Sequence, residues 1–209
     1  MDLFVSIDGY TPSDESEENP MGFGWGQITE AYTATRTFRA NIFGDASGAG
    51  TTGVDESYAA AFFDGVGAEI MGAAMFGLHT FPDDPNWKGW WDENPPFHTP
   101  VYVLTHTAPR PSIPMEGGTT FHFITEGIHA ALERAKDAAQ GKDIRVGGGM
   151  ATIRQYLSAG LLDEVHLAIT PSLLGKGEHL LAGIDTVSLG YKCTEHVSTE
   201  RATHVVLTK

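Results

Sequence analysis

Apolar residues recur along this chain in two rhythms that take turns. Short runs at residues 3–7, 68–72, 101–105, 121–125 and 164–170 are rich in β-branched, aromatic and aliphatic side chains, and each is followed by turn-forming residues. That is the pattern of strands. Between the later runs, Ile128, Leu132 and Ala135, and then Ile153, Tyr156, Leu157 and Leu161, return at helical spacing. They predict one helix over 127–139 and another from 150 to near Gly160. Residues 191–193 and 204–207 read as hairpin-like β structure. Strands alternating with helices predict an α/β domain of three layers, α/β/α, with a mostly parallel mixed sheet and antiparallel C-terminal strands added at one edge. Ligands in such sheets bind beyond the carboxyl ends of the strands, here Asp8-Gly9, Gly72, Thr105-His106, Thr125 and Gly147 to Gly149.

The most informative of these ends is the run from Asp143 to Leu157. A strand finishing at Arg145-Val146 meets Gly147, Gly148 and Gly149 and passes directly into a helix beginning near Met150 and Ala151. Residues without a Cβ let a backbone approach a ligand closely, and the first N–H groups of a helix have no partner inside it. An anion such as a phosphate or pyrophosphate is favoured there. A tight strand-to-helix corner without any ligand fits the same residues.

Size and charge narrow the classes. The 209 residues suffice for one domain with one core, taken here as 1–209 with insertions near 11–26 and 44–54. A formal charge of −14 and the lack of any basic run argue against a nucleic-acid partner. No apolar run approaches the ~20 residues of a membrane helix, and residues 1–6 do not resemble a signal peptide, so a cytoplasmic location is expected. One cysteine, Cys193, excludes an internal disulfide and a Cys-rich zinc site. The nine histidines include no His-Glu-x-x-His and no pair at ligand spacing, so no metal site is expected.

Two further segments carry candidate chemistry. Gly48-Ala49-Gly50-Thr51-Thr52-Gly53 matches the dinucleotide fingerprint literally, but turn residues precede it where a strand is required, so it is rejected. Alternation of glycine with Phe23 and Trp25 suggests either a flap laying rings over something flat or a pinned surface loop. Trp87, Trp90, Trp91 and Phe97 either wall a pocket for a flat heterocycle or staple a long loop. An acidic loop over 11–20 is the candidate lid.

The residues Val146-Gly147-Gly148-Gly149, Ile153, Tyr156-Leu157, Gly160-Leu161 and Asp163-Glu164 resemble the reductase domain of the riboflavin-biosynthesis deaminase-reductases. Residues 170–177 and Ser6-Ile7-Asp8-Gly9 extend the similarity, and Met71-Gly72 with Met75-Phe76 resembles a turn shared with dihydrofolate reductases. The resemblance implies a dihydrofolate reductase-like fold, NADPH as cofactor, a small-molecule substrate and a homodimer. It implies that Gly147, Gly148, Gly149, Met150 and Ala151 hold the pyrophosphate and that Gly72, Thr105 and His106 lie at the adenosine half. Asp8 would face the nicotinamide and substrate end with Ser6 and Gly9, and Trp25 and Trp91 are the candidate aromatic walls of the substrate pocket. Asp8 as a turn former before Gly9 is the competing reading. Ala73 stands where the family usually carries an arginine for the cofactor's phosphates, a loss of about 1.5–3 kcal/mol, or roughly ten- to a hundredfold in binding. Either His106 or Arg110 replaces it, NADH is the cofactor, or binding is vestigial. The expected activity is hydride transfer to a small pterin- or pyrimidine-like ring or to a carbonyl or imine; the alternative is a non-catalytic binder that keeps the fold.

Overall fold

The computed structural model describes residues 1–12, 18–19, 21–81, 84–107 and 110–209, and it divides into two compact units, residues 1–64 with 157–209 and residues 65–156. In chain order the first elements are β1 (Asp2–Ser6), β2 (Tyr10–Thr11), α1 (Trp25–Ile28), α2 (Glu30–Thr33), α3 (Arg36–Phe43) and α4 (Val54–Ala61). Then come β3 (Val66–Gly72), α5 (Ala73–Phe76), β4 (Pro100–Leu104), β5 (Ile113–Pro114), β6 (Thr120–Ile124), α6 (Ile128–Ala139), β7 (Asp143–Gly148) and α7 (Met150–Ser158). The chain closes with β8 (Glu164–Thr170), β9 (Glu178–His179), β10 (Lys192–Ser198) and β11 (Thr203–Thr208). It is a mixed α/β protein, and no helix among the described residues is long and apolar enough to cross a membrane.

Residues 65–156 are built on a five-stranded sheet of order β5-β6-β4-β3-β7, parallel except for the short antiparallel β5. Side chains alternate across a sheet. One face therefore collects Met71, Val101, Val103, Phe121 and Phe123, on which Phe76 and Leu78 pack. The helix α6 lies against β3, β4 and β7. Its buried stripe is Ala131, Ala135 and Ala139, with Ile128 and Leu132 flanking it. Small side chains on that stripe let the helix come close: a Cβ on Gly67 would stand 2.8 Å from the Ala139 carbonyl oxygen.

Two features differ from the sequence expectation. The strand β7 does not stop at Val146 but runs through Gly147 to Gly148, because extended glycine backbone continues the ladder with β3, up to Met71↔Gly148. The antiparallel C-terminal strands are not appended to this sheet. They join β1 and β8 in a four-stranded sheet of order β1-β8-β11-β10 that belongs to the other unit. The reason is that β8 uses both edges, pairing parallel with β1 and antiparallel with β11.

In that unit Ala31, Tyr32, Phe38, Ala59, Ala168 and Ala202 form the buried cluster, with Phe4, Phe62 and Phe63 packed around it. Within the insertion expected at 44–54, Thr51 is held to the chain at 34–36 by two backbone bonds, Thr51 N–H to Ala34 O and Arg36 N–H to Thr51 O. Of the acidic lid candidate, residues 13–17 and 20 lie outside the described residues.

Glu69 on β3 and Arg145 on β7 are register partners, and their side chains form an ion pair with Glu69 1% exposed. Burial pushes the Glu69 carboxyl up, and the Arg145 guanidinium opposes it. Removing one member of such a pair strands the other charge in the interior. Arg145→Met alone should therefore lower stability by about 3–5 kcal/mol, while the double change to Glu69→Leu with Arg145→Met should recover most of that loss. Urea denaturation of the two variants checks this; equal destabilisation by both would contradict it.

Candidate active site

Because β3, β4, β6 and β7 are parallel, their carboxyl ends lie along one edge of the five-stranded sheet. That edge brings together Gly72, Thr105-His106, Thr125 and the Gly147–Gly149 turn, all within residues 65–156. Two helices start there, α5 directly after β3 and α7 after β7.

Each glycine of the turn faces a protein neighbour where a Cβ would be. On Gly147 it would lie 2.9 Å from Glu69 Oε2, and on Gly148 3.0 Å from Met75 Cγ and Sδ. Gly149 has φ +79°, and a Cβ there would stand 3.0 Å from Gly72 Cα and 3.1 Å from its N. A Cβ on Gly72 would in turn meet Thr152 Oγ1 at 2.6 Å. The two chain turns thus pack backbone on backbone. This contact explains why these positions lack side chains without any ligand, and it also sets the start of α7 at the sheet edge. The nine-residue α7 is long enough for its first N–H groups to act on an anion. Met150 is half-buried and Ala151 exposed at this start.

At the end of β4, Thr105 is buried, and its N–H donates to the Ile124 carbonyl at 3.0 Å. Its hydroxyl accepts from Thr107 N–H at 3.1 Å, and His106 is left exposed between them. Ala73 packs against the apolar cluster and brings no charge. Arg110, one candidate to replace the missing arginine, donates from Nη2 to the Asp84 carbonyl at 2.6 Å, with its guanidinium carbon 5.5 Å from the Phe123 ring centroid. It lines an open cavity of about 530 Å³ with Tyr102, Ser112, His122 and Arg134, a lining that includes none of the glycine-turn residues.

The tryptophan segment is engaged within the fold. Trp87 Nε1–H donates to the Phe76 carbonyl at 2.8 Å, and Trp87 packs on Phe81 and Trp90. Trp91 lies edge-on to Phe97 at 4.7 Å and stacks with Phe121 at 5.7 Å. These contacts are those of a loop stapled to the core.

Ser6, Asp8, Gly9 and Trp25 belong to the other unit. Asp8 follows β1, and its carboxylate accepts from Leu174 N–H at 3.2 Å and Gly175 N–H at 2.8 Å. The Ser6 hydroxyl beside it, and then these backbone N–H groups, hold the Asp8 carboxyl below the ordinary carboxylate range against a partial desolvation. Asp8 is therefore an anion at neutral pH. Ser6 is buried, accepting from Tyr10 N–H at 2.9 Å and donating to Tyr10 O at 3.1 Å. A Cβ on Gly9 would collide with the His179 ring at 2.6 Å. Trp25 opens α1 half-buried, and beside it the exposed Phe23 ring lies 4.3 Å under the Lys176 ammonium.

Sequence reasoning missed the charged pair beneath the glycine turn. Its signal was present: one acid in the apolar run of β3 and one base of opposite sign in β7. Periodicity alone does not give the register that makes them neighbours.

Three solved structures with this fold match over 99% of the chain at a TM-score of 0.55 each. One is a protein of Shewanella sp. PV-4 described as a riboflavin biosynthesis protein, 17% identical and 96% covered. Another is the diaminohydroxyphosphoribosylaminopyrimidine deaminase/5-amino-6-(5-phosphoribosylamino)uracil reductase of Thermotoga maritima, 12% identical. The third is RibD of Acinetobacter baumannii, 14% identical. This chain spans only 55% and 56% of the length of the last two. No curated protein matches the sequence. The family model of the RibD C-terminal domain matches residues 1–206, and the chain belongs to that family.

Proposed function

We propose that this protein is an NAD(P)H-dependent reductase of a small, flat nitrogen heterocycle of the pyrimidine or pterin kind. The observation carrying this reading is the shared sheet edge of Gly72, Thr105-His106 and Gly147 to Gly149 in a chain that matches the RibD C-terminal domain over residues 1–206. The residues fit a dinucleotide: the turn leads directly into the start of the nine-residue α7, where Ala151 is exposed, and no carboxylate stands among Gly147 to Ala151. Gly147 to Ala151 hold the pyrophosphate, and Gly72, Thr105 and His106 hold the adenosine half. A bound nicotinamide supplies the hydride for a C=N or C=O carbon.

The protein's own part is binding and electrostatics. Asp8, ionised at neutral pH, accepts hydrogen bonds from an amino or hydroxyl group of the substrate and orients it, with Ser6 and Gly9 shaping the turn that carries it. A carboxylate held below its usual range is a poor proton donor, so the proton that completes the reduction comes from water. A substrate bearing a ribose phosphate fits less well, since the chain has 13 Lys and Arg against 27 Asp and Glu. Ala73 favours a second reading, a binder that keeps the fold without turning over, and the same titration separates the two.

Tryptophan fluorescence quenching by NADPH and NADH is the first test. Binding near about 1 μM for one of them, weakened at least about tenfold in Gly148→Val, is expected. No binding by either would overturn the cofactor assignment and put the binder reading first. In Asp8→Asn, cofactor affinity should persist while turnover falls by about a hundredfold or more. Because Asp8 titrates below the ordinary value of about 3.9, the parent's turnover should not lose this charge until the pH falls beneath that value. Unchanged turnover in the variant would return Asp8 to a turn-forming role.

A further inference from the structure

Residues 1–64 and 157–209 contain a chain of four ionisable side chains, three of them buried and Asp2 half-buried, that the proposed reaction does not use. Asp2 Oδ1 on β1 lies 2.6 Å from His166 Nδ1 on β8. His166 Nε2 lies 3.0 Å from His204 Nδ1 on β11, and His204 Nε2 lies 2.8 Å from Asp55 Oδ1 on α4. His204 is 0% exposed and His166 3%. The Tyr58 ring from α4 lies flat over both imidazoles, 4.4 Å and 4.2 Å between centroids at 10°. Tyr32 from α2 stacks with both at 6.3 Å and 6.4 Å.

Counting hydrogens constrains this chain. Three consecutive contacts of hydrogen-bond length need three bridging protons. Two neutral imidazoles carry one N–H each. The Tyr32 hydroxyl also lies 3.3 Å from His166 Nδ1, but the shorter 2.6 Å contact of that nitrogen with Asp2 Oδ1 still needs a proton of its own, so one more is required. An imidazole nitrogen is in general a stronger base than a carboxylate, so in the proposal the third proton sits on the rings. We propose that Asp2, His166, His204 and Asp55 form a single-proton latch, in which one imidazolium shared between the two histidines ties β1, β8, β11 and α4 together and is opened by a second proton.

The surroundings suit one positive charge and resist two. Facing the rings are Asp2, Asp55 and the two phenols; Tyr58 donates to Glu195 on β10, and Glu164 on β8 acts on Tyr58. Burial and then Glu195 push the Tyr58 phenol up to about 12, and burial with Asp2 raises Tyr32 further, so both stay protonated. A cation under the Tyr58 face is favoured by the ring quadrupole. A second proton would set two N–H groups against each other across the 3.0 Å His166–His204 contact. Burial, followed by the charge of His166, lowers the His204 imidazole below its ordinary value, with Asp55 opposing. A histidine lowered in the folded state contributes stability above the ordinary value of about 6.5 that is lost as the pH falls towards its folded value. The latch also stands at one end of a ladder with a candidate site at the other. Asp2↔His166 is the first β1–β8 pair and Ser6↔Thr170 the last, after which Ile7 N–H donates to Ser172 O and Asp8 accepts from Leu174 and Gly175. Opening it in acid releases the register that holds the Asp8 turn.

Nitrogen NMR of the histidine rings in the intact protein at about pH 7 reads the proton count directly. Three protonated nitrogens among the four of His166 and His204 are expected; two would overturn the proposal. A second measurement uses His204→Gln, which offers one acceptor and one donor but takes no proton. The parent's urea midpoint should fall between about pH 7 and about pH 5, together with faster amide exchange at Ile7 and Gly175, and the variant should lose that dependence. A variant with the parent's slope would contradict the latch. Should the variant not fold, the ring-nitrogen count on the parent still decides.

Discussion

Two stretches of backbone touch at the end of the five-stranded sheet, and the account of this protein depends on that contact. Gly72 closes β3 and Gly149 follows β7; a Cβ on Gly149 would stand 3.0 Å from Gly72 Cα, and one on Gly72 would meet Thr152 Oγ1 of α7 at 2.6 Å. Their approach keeps β3 and β7 paired up to Met71↔Gly148 and launches α5 and α7 from the same edge. Beneath it the Glu69–Arg145 pair brings two opposite charges together in the buried part of the β3–β7 strand pair. A buried pair of this kind contributes little net stability against an apolar equivalent, yet either charge alone is costly, so it resists any register but this one. Architecture and candidate chemistry therefore meet at one place: the turn that packing requires is also the turn that offers a helix start to an anion.

The acidic balance of the chain is handled locally. Several carboxylates are tied to backbone N–H groups, to arginine or to histidine. Asp8 is held by Leu174 and Gly175, Glu69 by Arg145, and Asp2 and Asp55 by the two buried histidines. For Asp8 the backbone N–H groups and the Ser6 hydroxyl favour the ionised acid, whereas for Glu69 burial raises the carboxyl and Arg145 opposes it. The contrast with Ala73 is informative. Where the sequence resemblance leads to the expectation of an arginine, this chain places the methyl group of Ala73 in the apolar cluster, so under the proposed function a dinucleotide would rely on backbone and helix start more than on charge at this position.

Much of this was legible in the residues themselves. The parallel strands, the helix over Ile128–Ala139 and the glycine turn follow from periodicity and from glycines placed between a strand and a helix. What escaped depends on register and on the third dimension. The continuation of β7 through two glycines depends on a partner strand, which local propensity does not see. Grouping the C-terminal strands with β1 requires knowing that β8 spends both its edges. The sequence leaves the tryptophans as pocket walls or as staples, and it does not show the Phe76, Phe97 and Phe121 contacts that the fold gives them. His166 and His204 are 38 residues apart and became neighbours only through antiparallel pairing of β8 with β11.

In the proposed function the glycine turn between β7 and α7 receives the pyrophosphate of a nicotinamide dinucleotide. Amide hydrogen exchange with and without saturating NADPH tests it at single-residue resolution. Slowed exchange should concentrate at residues 147–152, with a smaller effect at 72–74 and 105–107. Unchanged exchange at residues 147–152, with protection elsewhere or nowhere, would contradict it and leave the glycines as a packing corner alone.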